Sequence, residues 1–137
     1  MRKIAREIVF MLIYEEQFNK ERNVEFSFDS LKNEQEILNE NVLETDDESY
    51  IRTFIEAYEN NKEEINNIVN KNLFGYEPSR VYKVDNALLF LAVAEIFYVK
   101  TPAPVVINEV VELAKKYSTE KSAKFINGIL GSIIKEI

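Results

Sequence analysis

From Val84 to Val99 the chain reads VDNALLFLAVAEIFYV, apolar on nearly every side of a helix. A helix that is hydrophobic all round belongs in the middle of a domain or inside a membrane. The uninterrupted part, Ala87 to Val99, is too short to span a bilayer and carries Glu95. It therefore predicts the buried centre of an all-α domain, with other helices wrapped around it. Pro102 and Pro104 stop this helix and start the next.

The wrapping helices follow from apolar spacing near 3.6 residues. An opening helix is predicted from about Arg2 to Phe18, with Ile4, Ala5, Ile8, Val9, Met11 and Leu12 on its inner face. Arg2, Lys3, Arg6, Phe10 and Tyr14 fall towards the other side. Residues 19–30 read as a loop, and 30–39 as a weak helix with Leu31 and Leu38 inward. Asp46-Asp47 caps a helix carrying Tyr50, Ile51, Phe54, Ile55 and Tyr58. Asn61-Lys62-Glu63-Glu64 resembles a capping box ahead of Ile65, Ile68, Val69 and Leu73, and Gly75 is placed to end that helix. The segment 104–117 forms a helix with Val106, Val110, Leu113 and Ala114 on one side. Ser118 and Thr119 are candidate caps for a last helix with the stripe Ile126, Ile129, Leu130, Ile133 and Ile137.

With 137 residues and 46 % hydrophobic content, the chain is sized for one domain, 1–137. It contains no Cys and no His, which excludes disulfides, thiolate or imidazole metal ligands and Ser-His-Asp catalysis. No secretory cleavage site follows the basic N-terminus, so a cytoplasmic protein with no membrane association is expected. The net charge of −7 argues against binding nucleic acid through charge alone. The acid is concentrated, however. Residues 15–75 carry six bases and sixteen acids, whereas 76–137 carry eight bases and seven acids. If the two ends of the chain meet, a local cationic surface on an anionic body results.

Two stretches suit such a surface. Arg2, Lys3 and Arg6 sit at the positive end of a helix dipole, which is poor for helix stability but favourable for phosphate. The plain alternative is a set of solvated N-terminal bases. Lys121 and Phe125, four apart, share a helical face, with Lys116 and Lys124 nearby. Lysines beside an aromatic ring suit single-stranded RNA, in which bases stack and phosphates take the cations. The plain alternative for Phe125 is core filling. Glu95, alone in an apolar helix, must find a partner such as a loop or an arginine. Asn108 and Asn127 read as satisfying buried backbone groups, and Gly128 as allowing close helix approach.

Several of these segments carry a resemblance. Val84-Asp85-Asn86-Ala87-Leu88-Leu89 with Glu95, the run PVVINEVVELAKKYS over 104–118, and Lys124-Phe125-Ile126-Asn127-Gly128-Ile129-Leu130 together resemble the NusB family. Ala5-Arg6-Glu7 with Tyr14 resembles that family's opening helix. The resemblance implies about seven helices in two packed subdomains and a bacterial transcription antitermination factor without catalysis or cofactor. It implies binding of boxA RNA together with the small-subunit ribosomal protein NusE, and action on the elongating RNA polymerase complex, notably on ribosomal RNA operons. It places RNA contacts at the opening helix and at the start of the last helix, and assigns Tyr14 and Asp85 to the NusE interface. The chain departs from the family pattern at Met11, Asn86 and Phe90, where glutamine and arginines are usual. Those departures motivate a second reading, a helical protein–protein adaptor with weakened RNA recognition. A third is the RNA-binding appendix of a ribosomal RNA methyltransferase, of which this chain would be a fragment. A homodimer of the free chain through Phe10 or Phe90 is also expected.

Overall fold

The computed structural model describes residues 2–19, 23–37 and 45–136. Among these residues there are seven α-helices and no strand. The helices are α1 (Arg2–Glu16), α2 (Val24–Ile37), α3 (Thr45–Asn60), α4 (Lys62–Lys71), α5 (Lys83–Ala94), α6 (Ala103–Tyr117) and α7 (Glu120–Ile134). Helices α1, α2 and α3 pack on one another, and α4 to α7 form a second group. Helix α5 joins the two by packing against both α1 and α3. The buried residues of both groups merge into one cluster. No described helix is long and apolar enough to cross a membrane.

The central position of α5 follows from its composition. Ala87, Leu88, Leu89, Leu91, Ala92, Val93 and Ala94 are all fully buried. Each large side chain among them contributes roughly 1.5–3 kcal/mol relative to exposure. The helix does not continue regularly to Val99. It widens into a π-helical turn over Glu95–Val99, beginning at the buried carboxylate. Lys100 then adopts a left-handed conformation (φ 69°), and the Thr101 N–H closes the end on the Glu95 carbonyl at 3.1 Å.

Four local expectations are corrected. Helix α2 starts at Val24, inside the predicted loop, because Val24 and Phe28 are four apart and both fully buried. Leu31 is half-buried; Leu38 and Ile137 lie outside the described residues. Helix α1 is rotated from its predicted orientation. Ala5, Arg6, Val9, Phe10, Leu12 and Ile13 face the core, while Ile4 and Met11 are exposed. A helix with apolar residues on several sides leaves its orientation to tertiary packing, here the burial of Phe10 against Tyr117 (ring centroids 5.1 Å apart). Asn61 does not cap α4 with its side chain; its Nδ2 donates back to the Ala57 carbonyl at 2.8 Å. Gly75 (φ 77°) turns the chain four residues beyond the end of α4 at Lys71, whose C-cap is Asn72. There the Asn72 Nδ2 donates to the Ile68 carbonyl at 2.8 Å. Thr119 is the cap of α7, accepting from the Ser122 N–H at 2.9 Å.

Gly128 is a fifth correction. It is exposed, and a Cβ there would meet nothing within 4 Å, so no helix approaches it closely. Asn108 and Asn127 are exposed too, rather than satisfying buried backbone. A mid-helix glycine in open space only loosens the helix. Gly128→Ala is expected to raise stability by about 0.5–1 kcal/mol, read as a Tm increase of a few degrees on thermal denaturation.

Candidate nucleic-acid interface

The first turns of α7 separate two kinds of residue. Ser122, Ala123 and Ile126 point inward and are buried, while Lys121 and Lys124 are exposed, one turn apart. Phe125 lies between, half-buried. Its ring meets Tyr76 edge-on, with centroids 4.8 Å apart and planes at 68°. Tyr76 is delivered by the connection between α4 and α5. Gly75 turns the chain, the 3₁₀ turn Pro78–Arg80 carries it across, and Tyr82 caps α5. Tyr76 and Tyr82 are 56 % and 67 % exposed. Exposed aromatics on one connection are unusual for a surface that only meets water.

Between this connection and α7 lies a groove of about 840 Å³. Its walls carry Tyr76, Tyr82 and Phe125 as aromatics and Arg80, Lys121 and Lys124 as cations. No ion pair involving these three cations is seen among the described residues. The arrangement offers π-faces for flat rings and positive charge for phosphates, the combination that holds single-stranded nucleic acid.

Asp85, from the first turn of α5, lines the same groove and is only 3 % exposed. The hydroxyls of Ser118 and Ser122 lie near its carboxyl group, and the Ser118 hydroxyl donates to that of Ser122 at 2.9 Å. Its Oδ1 has no hydrogen-bond partner among the described residues. Burial pushes its carboxyl above the ordinary aspartate range, and the two serines only partly offset this. Asp85 is thus a buried group in this groove, which Tyr14 does not line.

The N-terminal cations are not alike. Arg6, expected to take phosphate, is 4 % exposed and faces the core. Its Nε donates to both Glu95 oxygens at 3.0 and 2.9 Å, and its Nη2 to Oε1 at 2.7 Å. The guanidinium also lies 5.9 Å from the Tyr50 ring centre. Burial works against the charge, but the Glu95 contact outweighs it and raises the Arg6 pKa further. The reading of Arg6 as a phosphate ligand is therefore corrected: it is the arginine that Glu95 requires. Lys3 is exposed on α1. Arg2 opens the helix, its side chain outside what is described.

Lys116 donates to Glu7 Oε1 at 2.6 Å, and the Tyr117 hydroxyl donates to the same oxygen. This bridge fastens the end of α6 to α1. It brings the N-terminal half of α1 to the α6–α7 corner, from which Lys121 and Lys124 project. Opening and closing helices therefore meet through α6, but Lys116 is already paired with Glu7.

Tyr14 sits elsewhere on α1, half-buried in an aromatic row. It is 6.2 Å from Phe10 and 5.0 Å from Phe18, the latter edge-on and exposed. Beside this row Gln17 Nε2 donates to the Lys83 carbonyl at 2.8 Å. A second cavity of about 600 Å³ opens there, lined in part by Gln17, Lys83, Asn86 and Phe90. Phe10, expected at a dimer surface, is buried and unavailable; Phe90 is half-buried.

Tyr76, Arg80 and Tyr82 escaped sequence reasoning because they stand in an irregular connection without a motif. Their only signal was a cluster of aromatics around Pro78 in an otherwise polar segment.

Comparison with known proteins accounts for the architecture. Residues 3–135 match the model of the NusB family. The transcription antitermination protein NusB of Clostridium novyi (strain NT) is 38 % identical over 135 residues, covering 98 % of each chain. That of Acetivibrio thermocellus is 42 % identical, over 98 % of this chain and 88 % of its own. Among solved structures, antitermination factors NusB and NusE in complex with dsRNA provide a chain superposing with a TM-score of 0.86. It is 29 % identical over 99 % of this chain and 97 % of that one. A T. maritima NusB gives a TM-score of 0.87 at 29 % identity, over 99 % and 92 % of the two chains. With the motifs at both ends of the chain and the order and packing of its seven helices, these matches lead to one conclusion: the chain belongs to the NusB family.

Proposed function

We propose that this chain is a non-catalytic, cytoplasmic transcription antitermination factor. It binds boxA-type single-stranded RNA jointly with the ribosomal protein NusE, and the assembly modifies the elongating RNA polymerase complex, notably on ribosomal RNA operons. The observation that carries the reading is the groove between the α4–α5 connection and α7. Three cations and an edge-on aromatic pair converge there on a protein whose net charge is −7. Lys3 extends the cationic surface from α1, Arg2 is assigned to the RNA on the sequence alone, and Lys116 joins the surface when Glu7 releases it. The solved relative holding NusE and dsRNA supports both classes of partner.

Tyr14 and Phe18 offer NusE an aromatic row with a polar rim, a composition suited to a protein interface. In the absence of NusE, the exposed row Ile4, Met11 and Phe18 is the surface through which free chains would pair.

The burial of Arg6 and the pairing of Lys116 favour a second reading, an adaptor that binds NusE but little RNA. Fluorescence anisotropy with a labelled boxA oligonucleotide, single- and double-stranded, with and without NusE, separates the two. The antitermination reading expects weak single-strand binding alone, tightened about tenfold or more by NusE. NusE binding without any RNA signal establishes the adaptor.

A further inference from the structure

Asp85 is anomalous for a structural residue. It lies at the wall of an aromatic and cationic groove, nine-tenths buried, with one carboxylate oxygen lacking any described partner. Leaving a buried acceptor unmade is unfavourable, so such a group points to something that completes it. Ser122 on α7 and Ser118 at the C-terminus of α6 are polar neighbours of the carboxyl group, but neither hydroxyl reaches Oδ1 within hydrogen-bond distance, and Oδ1 is the open site.

The surroundings restrict what that something is. Phosphate is excluded from direct contact by charge repulsion, and Arg80, Lys121 and Lys124 are there to receive it. The same three cations repel an incoming lysine or arginine from a protein. A neutral N–H donor on a flat ring meets neither objection, and Phe125 and Tyr76 give the ring a surface to rest on. Tyr82 and Lys121 line the same groove as Asp85 and are exposed, so their side chains are free to change rotamer around an incoming base.

We propose that Asp85 is a base-reading acceptor: with a base stacked in the groove, Oδ1 takes a hydrogen bond from an exocyclic amino group and disfavours uracil at that position. Adenine, cytosine and guanine each carry such an amino group. Uracil has none, and its single edge N–H is flanked by two carbonyl oxygens that a carboxylate repels. Cations and rings hold the strand whatever its sequence, and Asp85 adds selectivity. The inference rests on the RNA-binding reading above.

The test measures affinity for short single-stranded RNAs in which each position in turn is changed to uracil, using the wild-type chain with NusE. One position is expected to show a loss of about tenfold, the scale of one base contact. Asp85→Asn, which keeps the shape and offers an amide donor in place of a carboxylate, is expected to reduce that discrimination to below twofold or invert it. It is expected to melt no lower than wild type at neutral pH, which excludes unfolding as the cause. Lys121→Ala serves as a contrast, weakening all the RNAs together while keeping the discrimination.

If the wild type discriminates and Asp85→Asn does so equally, Asp85 is a structural group and the inference is overturned while the RNA-binding reading stands. Loss of NusE affinity in Asp85→Asn with base preference intact assigns the carboxylate to the protein partner and overturns it too. If the wild type binds none of the RNAs, the parent reading itself fails.

Discussion

Glu95→Ala is expected to lower the unfolding free energy by about 3–5 kcal/mol, because it strands the Arg6 guanidinium in the core. For a chain of this length the loss corresponds to roughly 10–20 °C in Tm. The size of the effect comes from the charge left behind more than from the strength of the pair. Arg6 is 4 % exposed, and without Glu95 it would keep the Tyr50 ring and the charge of Glu109 but no bonded counter-ion. Arg6→Ala is expected to be nearly as damaging, since it leaves the fully buried carboxylate alone. Replacing both partners by apolar residues of similar volume, Arg6→Met with Glu95→Leu, is expected to recover most of the loss. Urea denaturation of the three variants checks this. Additive losses in the double variant would show that the pair does not act as a unit.

Phe125→Ala is expected to weaken single-stranded RNA binding by about tenfold or more, the worth of one stacked base. Phe125→Leu is the informative companion. It keeps apolar volume against the core, so thermal stability stays close to wild type, but it removes the π-face. Its RNA affinity is expected to fall almost as far as that of Phe125→Ala. If Phe125→Leu binds like wild type, the ring is core filling and Tyr76 packs on it for structural reasons alone. The cations give a different signature. Removing Arg80, Lys121 and Lys124 together is expected to flatten the salt dependence of binding by about two units of log–log slope, since each phosphate contact on a single strand contributes about 0.7.

The fold was legible where burial and periodicity agree. The run from Val84 to Val99 dictated a central helix, and α5 occupies that place. Prolines and Thr119 marked the ends of α6 and α7 correctly. The π turn at Glu95 was not legible, because it depends on how the chain accommodates a buried carboxylate and not on residue spacing. The first turns of α2 fall in the expected loop because few apolar residues, Val24 and Phe28 among them, carry the helical pattern there. The inner face of α1 was misread because Ile4, Ile8 and Met11 make its outer side as apolar as its inner one. Tertiary contacts, Phe10 on Tyr117 and Arg6 on Glu95, choose between them.

The candidate site was half legible. Lys121, Lys124 and Phe125 share one groove as their spacing suggested. Helical periodicity puts Arg6 on the outer side of α1 with Arg2 and Lys3, where the helix dipole favours phosphate, and the structure turns it inward. Glu95 in an apolar helix requires a partner such as a loop or an arginine, and Arg6 is that arginine. The pairing spans 89 positions in sequence, a separation no local pattern encodes. The opposite wall of the groove, Tyr76, Arg80 and Tyr82, comes from an irregular connection that carries no period to read.

Nuclear magnetic resonance titration of the isotope-labelled chain with a boxA-type single-stranded RNA locates the binding surface residue by residue. The groove predicts that amide shifts concentrate at residues 75–85 and 119–125, with Lys3 at the margin and the acidic outer face of α3 silent. Shifts centred on α3, or spread along the Tyr14–Phe18 row while 119–125 stays unchanged, would contradict it.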